Sequence, residues 1–577
     1  MVGARVFEFG EFRLDCDRFE LSRAGRNLKL ERKPLELLIL LATRNGHLVT
    51  RADIADQLWG REVFVDIEHG INTAVRKVRQ ALREHPEQPR FLETVPGKGY
   101  RFLADVIVSS NCAGANAGGN QVSIAVLPFA NMSAEKEDEY FGDGLAEEII
   151  NQLANVPRMK VAARTSSFFF KGKDVDAAEI GKRLNVEHVL EGSVRRSGNR
   201  VRIMMQLIKL SDGFHLWSER YDREITDIFA VQDEITNHVI EALRIKLSPR
   251  AVTPRRYVPN FRAYEAYLKA RNLWFSRAGP QWLARFKELL ERAIELDPKF
   301  ALAHSFLGMY YTMQASVGLK APHDVIPSAL AAEREALQVD PSLPEAHALL
   351  GVCTGEYEHD WSKAERHWRL ALSSEPLSRD VVFWYGNHFL LPIGRTQEAI
   401  DSMERGLQGD PLNLLYRHHY ARGLRLAGKL GETEMELRNI LEIDEEVPYA
   451  LGTLGSLCAQ QGRYDDALEL TERAHNLVPW SASLIGQLAA MLIRTGAQSR
   501  AEALIDTLKS GAAYRTPTGI LVFHLLCGQF EAAEEWAELA VEQRDMQLIQ
   551  NVGVFLRQTS WWPRLAKRMN VADCARY

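Results

Sequence analysis

At 577 residues the chain exceeds what one hydrophobic core usually serves, so three or more domains are expected, and 46% apolar with 25% charged residues argues against a disordered chain. The formal net charge of −5 argues against a polyanionic partner held by whole-chain electrostatics, so any basic surface must be local. The longest apolar run, Leu37 to Ala42, falls far short of the roughly 20 residues that span a bilayer. The N-terminus has no basic stretch followed by an apolar segment and a small-residue cleavage site, so no signal peptide is expected. Six cysteines (Cys16, Cys112, Cys353, Cys458, Cys527, Cys574) lie far apart with no CxxC pair, which fits a reducing compartment. A cytoplasmic protein with no membrane partner is the expectation.

In chain order, residues 1–108 open with short alternating segments (Val6–Phe9, Phe12–Leu14, Phe19–Leu21, Leu28–Leu30), followed by three helical patterns and a second β pattern. Helix one places Leu35, Leu38, Ile39 and Ala42 on one face. Helix two, RADIADQLWG, opens after Thr50, whose hydroxyl can cap with Asp53 at the third helical position. Helix three, from Asp66 or Ile67 to about Arg83, carries Ile71, Ala74, Val75, Val78 and Leu82 on one stripe and Asn72, Arg76, Arg79 and Arg83 on another. The second stripe lies about 100° round the helix from the first, so one face packs while its neighbour presents guanidinium groups. Such a helix fits a DNA major groove, where arginine bonds phosphate or guanine and asparagine bonds adenine or phosphate. FLETVPGKGYRFLAD then has strand character on both sides of Pro96-Gly97-Lys98-Gly99, a wing-like turn with a cation at its tip.

The stretch SSNCAGANAGGNQ, 109–121, has the composition of a flexible linker, and its thirteen residues would separate the flanking domains by about 20 Å as random coil. Residues 122–250 read as a compact α/β domain: the strand SIAVLPF, the helix DGLAEEIINQLANV, the strand KVAART, the helix DAAEIGKRLN, a strand pair turning at Ser197-Gly198-Asn199, and the helix DIFAVQDEITNHVIEAL. Gly142-Asp143-Gly144 reads as a helix opening with Asp143 as its cap, or as backbone N–H groups offered to a phosphate. Arg195-Arg196 reads as a solvated turn, or as a contact to DNA or a partner.

From 260 to 577 helical patterns recur. Glycines stand at Gly394, Gly428, Gly462 and Gly496, each 34 residues after the last, with Gly528 following after 32. The helix-closing motifs at Pro341, Pro376, Pro411, Glu445 and Pro479 are spaced 35, 35, 34 and 34 apart, while an insertion lengthens the first spacing, from Pro298, to 43. This period, with a small residue in the second helix of each unit (Ala399, Ala467, Ala501, Ala532), resembles tetratricopeptide repeats, and GRYDDALELTERAHNLVP matches best. An extended concave face for a protein partner is expected, closed by degenerate capping units after Gly528. Trp274, Trp361, Trp368 and Trp384 read as repeat packing, and His418-His419 as no shared site.

NTAVRKVRQAL followed by RFLETVPGKGYRF resembles the OmpR/PhoB-type winged helix over nearly all of residues 5–106, with the leading strands as that family's N-terminal sheet. The resemblance implies that helix three enters the major groove and that the wing touches the adjacent minor groove. It implies Arg76, Lys77 and Arg79 as helix contacts, with Lys98 and Arg101 on or beside the wing. The full candidate set for double-stranded DNA is Asn72, Thr73, Arg76, Lys77, Arg79, Arg83, Lys98, Tyr100 and Arg101. Pro96 stands where many members have arginine, which leaves Lys98 as the cation at the tip. The middle segment resembles the TolB amino-terminal-like module, some bearers of which are adenylate cyclases.

The expected architecture is therefore multidomain α+β and all-α: a winged helix-turn-helix, a central α/β domain and an α-solenoid. It is most similar to the soluble HilA-like regulators, with neither the receiver domain of response regulators nor the membrane helix of CadC-like sensors. A DNA-binding transcriptional regulator is expected, with no catalytic, cofactor or metal site, and two copies on repeated half-sites make a homo-oligomer one of its partners. The competing reading is a repeat scaffold or cyclase-associated protein whose DNA-binding domain is not essential. No GxxxxGK[ST], HExxH or GxSxG motif supports an enzyme.

Overall fold

The computed structural model describes residues 5–9, 12–15, 20–23, 26–28, 30–43, 48–58, 67–84, 89–104, 107–110, 122–135, 138–156, 159–173, 175–243, 257–276, 281–374, 377–510 and 515–571. Residues 111–121 of the expected linker lie outside the described residues, as do Asp66, Trp59, Gly60, Cys16, Cys112 and Cys574. Two compact units form, residues 1–119 and 120–577.

The first unit runs β1 (Arg5–Phe9), β2 (Phe12–Asp15), β3 (Glu20–Arg23), β4 (Arg26–Leu28), α1 (Arg32–Thr43), β5 (Leu48–Thr50), α2 (Arg51–Leu58), α3 (Ile67–Leu82), β6 (Leu92–Val95), β7 (Gly99–Phe102) and β8 (Ile107–Ser110). One sheet has the order β4-β3-β2-β1-β8 and the other β5-β7-β6. Side chains two apart on a strand share a face, so Phe7 and Phe9 on β1 and Phe12 and Leu14 on β2 all go inward. Phe9 meets Phe102 edge-on at 5.0 Å and Phe12 meets Phe91 at 5.4 Å, which ties the leading sheet to the wing hairpin. Two features depart from expectation. Ser109 and Ser110 belong to β8, which pairs antiparallel with β1, rather than to a linker. Leu37 and Leu41 are fully buried beside Leu38, because α1 packs against α2, α3 and β7 and hides more than one stripe.

The second unit opens with β9 (Val122–Val126), β10 (Ala130–Asn131), α4 (Glu139–Ala154), β11 (Met159–Val161), α5 (Arg164–Phe168), α6 (Ala177–Leu184), β12 (His188–Ser197), β13 (Arg200–Lys209), β14 (His215–Glu224) and α7 (Ile228–Ala242). The sheet order is β11-β9-β12-β13-β14, parallel around β9 and antiparallel from β12 to β14, with β10 pairing parallel to β12. β14 adds a third strand to the expected pair. The helix expected to open at Gly142 begins at Glu139, so Asp143 is neither a cap nor beside a phosphate site. It is buried mid-helix and accepts from Lys171 at 2.6 Å and Asn272 at 3.0 Å. The flanking glycines serve close packing: a β-carbon on Gly144 would sit 2.7 Å from the Leu268 side chain. Arg196 is not a solvated turn residue either. It donates to Tyr140 and to Glu265 at 2.9 Å each.

Glu265 and Leu268 lie on α8 (Phe261–Ser276), and one apolar core runs from Ile124 through α4 and α7 into the first helices of the solenoid. A second clamp joins the loop after helix Thr396–Leu407 to α5: Ser166 donates its hydroxyl to Asp410 at 2.6 Å and accepts from the Leu412 N–H at 2.9 Å. Beyond α8 the described residues form helical pairs. Gly394, Gly428, Gly462, Gly496 and Gly528 each join the two helices of a pair at φ between +74° and +88°. A β-carbon there would cost about 1–2 kcal/mol, which explains glycine at this register. Trp368 is fully buried and Trp274 packs on Phe286 and Phe306, as repeat packing requires. The concave face is not open as expected. Helix Leu548–Leu556 packs on Leu414–Leu426 and Thr516–Cys527, both first helices of their pairs. The superhelix also meets itself, through Arg515 to the Ser316 carbonyl and Trp361 to the Met569 carbonyl, 2.8 Å each.

Candidate nucleic-acid interface

Thr50 ends β5 and caps α2 reciprocally: its hydroxyl accepts from the Asp53 N–H and the Asp53 carboxylate accepts from the Thr50 N–H, both at 3.1 Å. On α3 the stripe of Ile71, Ala74, Val75, Val78 and Leu82 is buried in the first unit's core. The opposite stripe, Asn72, Arg76, Gln80 and Arg83, is exposed. Arg76, Arg83 and Lys98 form no side-chain hydrogen bond or ion pair with another described residue. Arg83 terminates α3 at φ +53°, which turns the chain out of the helix.

Arg79 does not share that stripe. Its Nη2 donates to the Leu92 carbonyl and to the Thr94 hydroxyl, both at 2.9 Å, bracing α3 against strand β6. Gln80 replaces it on the exposed face, an assignment that depends on which way α3 is rotated against the hairpin. Lys77 pairs with Glu31 at 2.5 Å, Arg101 with Glu93 across the hairpin at 3.1 Å, and Thr73 is half-buried. Tyr100 is buried, with its hydroxyl accepting from Arg51 at 2.9 Å. Arg51 Nη2 also donates to the Asn72 Oδ1 at 3.0 Å, and the Arg51 N–H donates to the Lys98 carbonyl at 3.2 Å. Arg51 thus couples the start of α2, the exposed stripe and the wing turn. The sequence reading did not single out Arg51, because its position just after a helix cap carries no signal by itself.

The wing is held at both ends. One oxygen of Glu84 accepts from the backbone N–H groups of Arg90, Phe91 and Leu92, which starts β6. At the other end Gly99 lets β7 approach β5: a β-carbon there would lie 2.0 Å from the Val49 carbonyl oxygen. Gly97, at φ +70°, makes the tip between Pro96 and Lys98.

Two antiparallel sheets around three helices, with an exposed cationic stripe on the third and a hairpin beside it, define a winged-helix DNA-binding domain. Residues 25–102 match the family described as transcriptional regulatory protein, C terminal, and residues 120–238 match the HilA/YgeH-like transcriptional regulator, second domain. Transcriptional regulator HilA of Salmonella typhimurium is 22% identical over 483 residues, 82% of this chain and 83% of that protein. A Rhizobium meliloti protein provisionally named adenylate cyclase 3 is 41% identical over 240 residues, and the chain spans 40% of its length. The solved DNA-binding domain of E. coli CadC is 27% identical, covering 19% of this chain and all of that domain, with a TM-score of 0.17. Residues 25–102 thus carry a DNA-binding domain of the OmpR/PhoB type, and the segment after it resembles the second domain of HilA-like regulators. No described helix is long and apolar enough to cross a membrane.

Proposed function

We propose that the chain is a sequence-specific regulator of transcription in the cytoplasm, with α3 docked in the major groove of double-stranded DNA and the second unit receiving a signal or binding a protein partner. The observation that supports this most is the exposed stripe of Asn72, Arg76 and Arg83, whose guanidinium groups have no protein partner among the described residues, beside an equally unpaired Lys98. A major groove about 12 Å wide admits such a helix. In this reading Arg76 and Asn72 face base edges, and Arg83 and Lys98 hold flanking phosphates. Thr73 lies beside the groove. Lys77 and Arg101 reach DNA by exchanging Glu31 and Glu93 for phosphate, while Arg79, Arg51 and Tyr100 set the angle between helix and wing.

One winged helix touches few base pairs, so useful specificity calls for two copies on repeated half-sites, held together by the second unit. The regulators among the relatives support a role other than catalysis. Cyclic AMP formation by the purified chain would overturn that part of the reading.

Genomic DNA fragments retained by the full chain identify the operator. On that operator, Arg76→Ala is expected to cost on the order of 1–3 kcal/mol, with relaxed specificity for a base contact and uniform weakening for a phosphate contact. Unchanged binding at low salt sinks the assigned face. Equal affinity and stoichiometry for the full chain and residues 1–108 would refute pairing through the second unit.

A further inference from the structure

Inside the helical superhelix lies a cavity of about 320 Å³. Its walls include Arg422 and Arg425 on helix Leu414–Leu426, Gln487 on helix Ala482–Arg494, Arg515 just ahead of helix Thr516–Cys527, and Asn551 and Phe555 on helix Leu548–Leu556. No aspartate or glutamate is among the described residues that line it. Arg422 and Arg425, one helical turn apart, are only 7% and 6% exposed. Neither forms an ion pair with a described residue. Arg422 donates Nε to the Gln550 carbonyl at 2.9 Å, and its Nη2 is buried without any hydrogen-bond partner. Arg425 donates only to neutral oxygens, those of Ser456 and Gln460.

The surrounding charges do not neutralise this pair. Arg515 is committed to Asp545 at 3.0 Å. The acid that acts on Arg422 is Glu356, which makes no ion pair with it; its Oε1 holds His388 and Gln550 and its buried Oε2 has no hydrogen-bond partner. His418 is buried and His419 half-buried, and withdrawal from water together with Arg422 keeps both well below the usual histidine range, so they are neutral. Burial also pushes Arg422 down to about 9 and Arg425 to about 10. Two guanidinium groups withdrawn from water with no ion pair of their own destabilise the fold. An unsatisfied donor on a buried cation is the natural complement of an oxyanion.

We infer that this cavity binds a small organic oxyanion, a phosphate- or carboxylate-bearing metabolite, through Arg422 and Arg425. The volume stands at the lower end of the range for small-molecule sites. Asn551 supplies a polar group, Gln487 its carbonyl oxygen while its amide donates to Gly452 and Thr471, and Phe555, which carries the Arg425 guanidinium 5.2 Å from its ring centre, an aromatic wall. Because helix Leu548–Leu556 forms one wall, an occupant ties the end of the chain to the middle of the solenoid. This deepens the signal-receiving role proposed above and rests on that reading only for its consequence at DNA.

Calorimetry on the full chain tests the site, with pyrophosphate, citrate and adenosine 5′-monophosphate as anionic probes and adenosine as the uncharged control. At least one anion is expected to bind saturably at one site per chain, and adenosine is not. Arg422→Gln weakens that binding by about tenfold or more. Asn551→Asp keeps the shape, places a carboxylate in the cavity, abolishes anion binding and raises the Tm of the unliganded protein, so the test survives if Arg422→Gln fails to fold. No anion binding up to about 10 mM, or binding unaffected by Asn551→Asp, overturns the proposal. Anion binding that leaves operator affinity unchanged supports the site and refutes only its link to DNA.

Discussion

Arg76 and Arg79 lie three residues apart on one helix, yet the structure gives them different work, and replacing each with alanine separates the two roles. Arg79 makes two hydrogen bonds to β6, to the Leu92 carbonyl and the Thr94 hydroxyl. At about 0.5–1.5 kcal/mol for each bond, Arg79→Ala should cost the winged helix roughly 1–3 kcal/mol of stability. For a domain near 100 residues each kcal/mol lowers Tm by about 4–8 °C, so the first unit's calorimetric transition should fall by at least about 4 °C. Arg76 has no described partner, and Arg76→Ala should leave that transition in place. The order reverses at DNA. Arg76 faces base edges in the proposed docking, so its loss relaxes discrimination between the operator and other sequences, whereas Arg79→Ala weakens binding to all sequences alike through a misplaced wing. The assay is binding to the operator and to base-substituted operators, read beside calorimetry of the same proteins. If Arg79→Ala kept the wild-type Tm and relaxed specificity as Arg76→Ala does, the bracing role would be wrong.

Gly99→Ala should part β5 from β7 and exceed the usual 1–3 kcal/mol for overpacking, because the new carbon would meet the Val49 carbonyl oxygen; operator affinity and the Tm of the first unit would fall together, and a wild-type Tm would contradict this. Ser166→Ala removes the hydroxyl bond to Asp410, while the backbone N–H bond to Asp410 stays, and leaves the half-buried Leu412 N–H unpaired, so denaturation of the second unit should show a loss of about 1–3 kcal/mol; an unchanged midpoint would show that the clamp is not needed. Burial, reinforced by Arg544, lowers His359 from 6.5 to about 4. The unfolded chain takes up a proton there below about 6.5 and the folded one does not, so this stability is complete above 6.5 and declines as pH falls toward 4. His359→Gln should remove that slope, worth up to roughly 3 kcal/mol; parallel urea midpoints for the two proteins between pH 7 and 4.5 would exclude it.

Most of the DNA-binding unit was legible because its signals are local. A stripe at helical spacing declares which side of α3 is buried, a threonine three residues before an aspartate declares a cap, and Pro-Gly-Lys-Gly declares a turn. The candidate set was harder, since helical spacing cannot distinguish an arginine that faces solvent from one that reaches the neighbouring strand. Arg79 and Gln80 differ by about 100° on the helix, and the position of β6 decides between them. Lys77 and Arg101 likewise read as free cations until Glu31 and Glu93 are brought beside them.

By itself, then, the sequence determined the winged helix, the α/β segment after it and the 34-residue solenoid, each through periodicity, capping or glycine placement acting within about a dozen residues. Five glycines at one register sufficed for the repeats, because a left-handed turn excludes other side chains at modest but repeated cost. Only the tertiary structure decided what distant segments do to one another. It moved Ser109 and Ser110 into a sheet, buried Asp143 in a helix, fused the α/β segment to the solenoid through Ser166 and Asp410, and laid helix Leu548–Leu556 into the concave face. These are pairings between groups up to some 240 residues apart, and no local pattern encodes them. The cavity around Arg422 and Arg425 belongs to the same class: two arginines on a repeat helix become a buried, unneutralised pair only when the end of the chain closes over them.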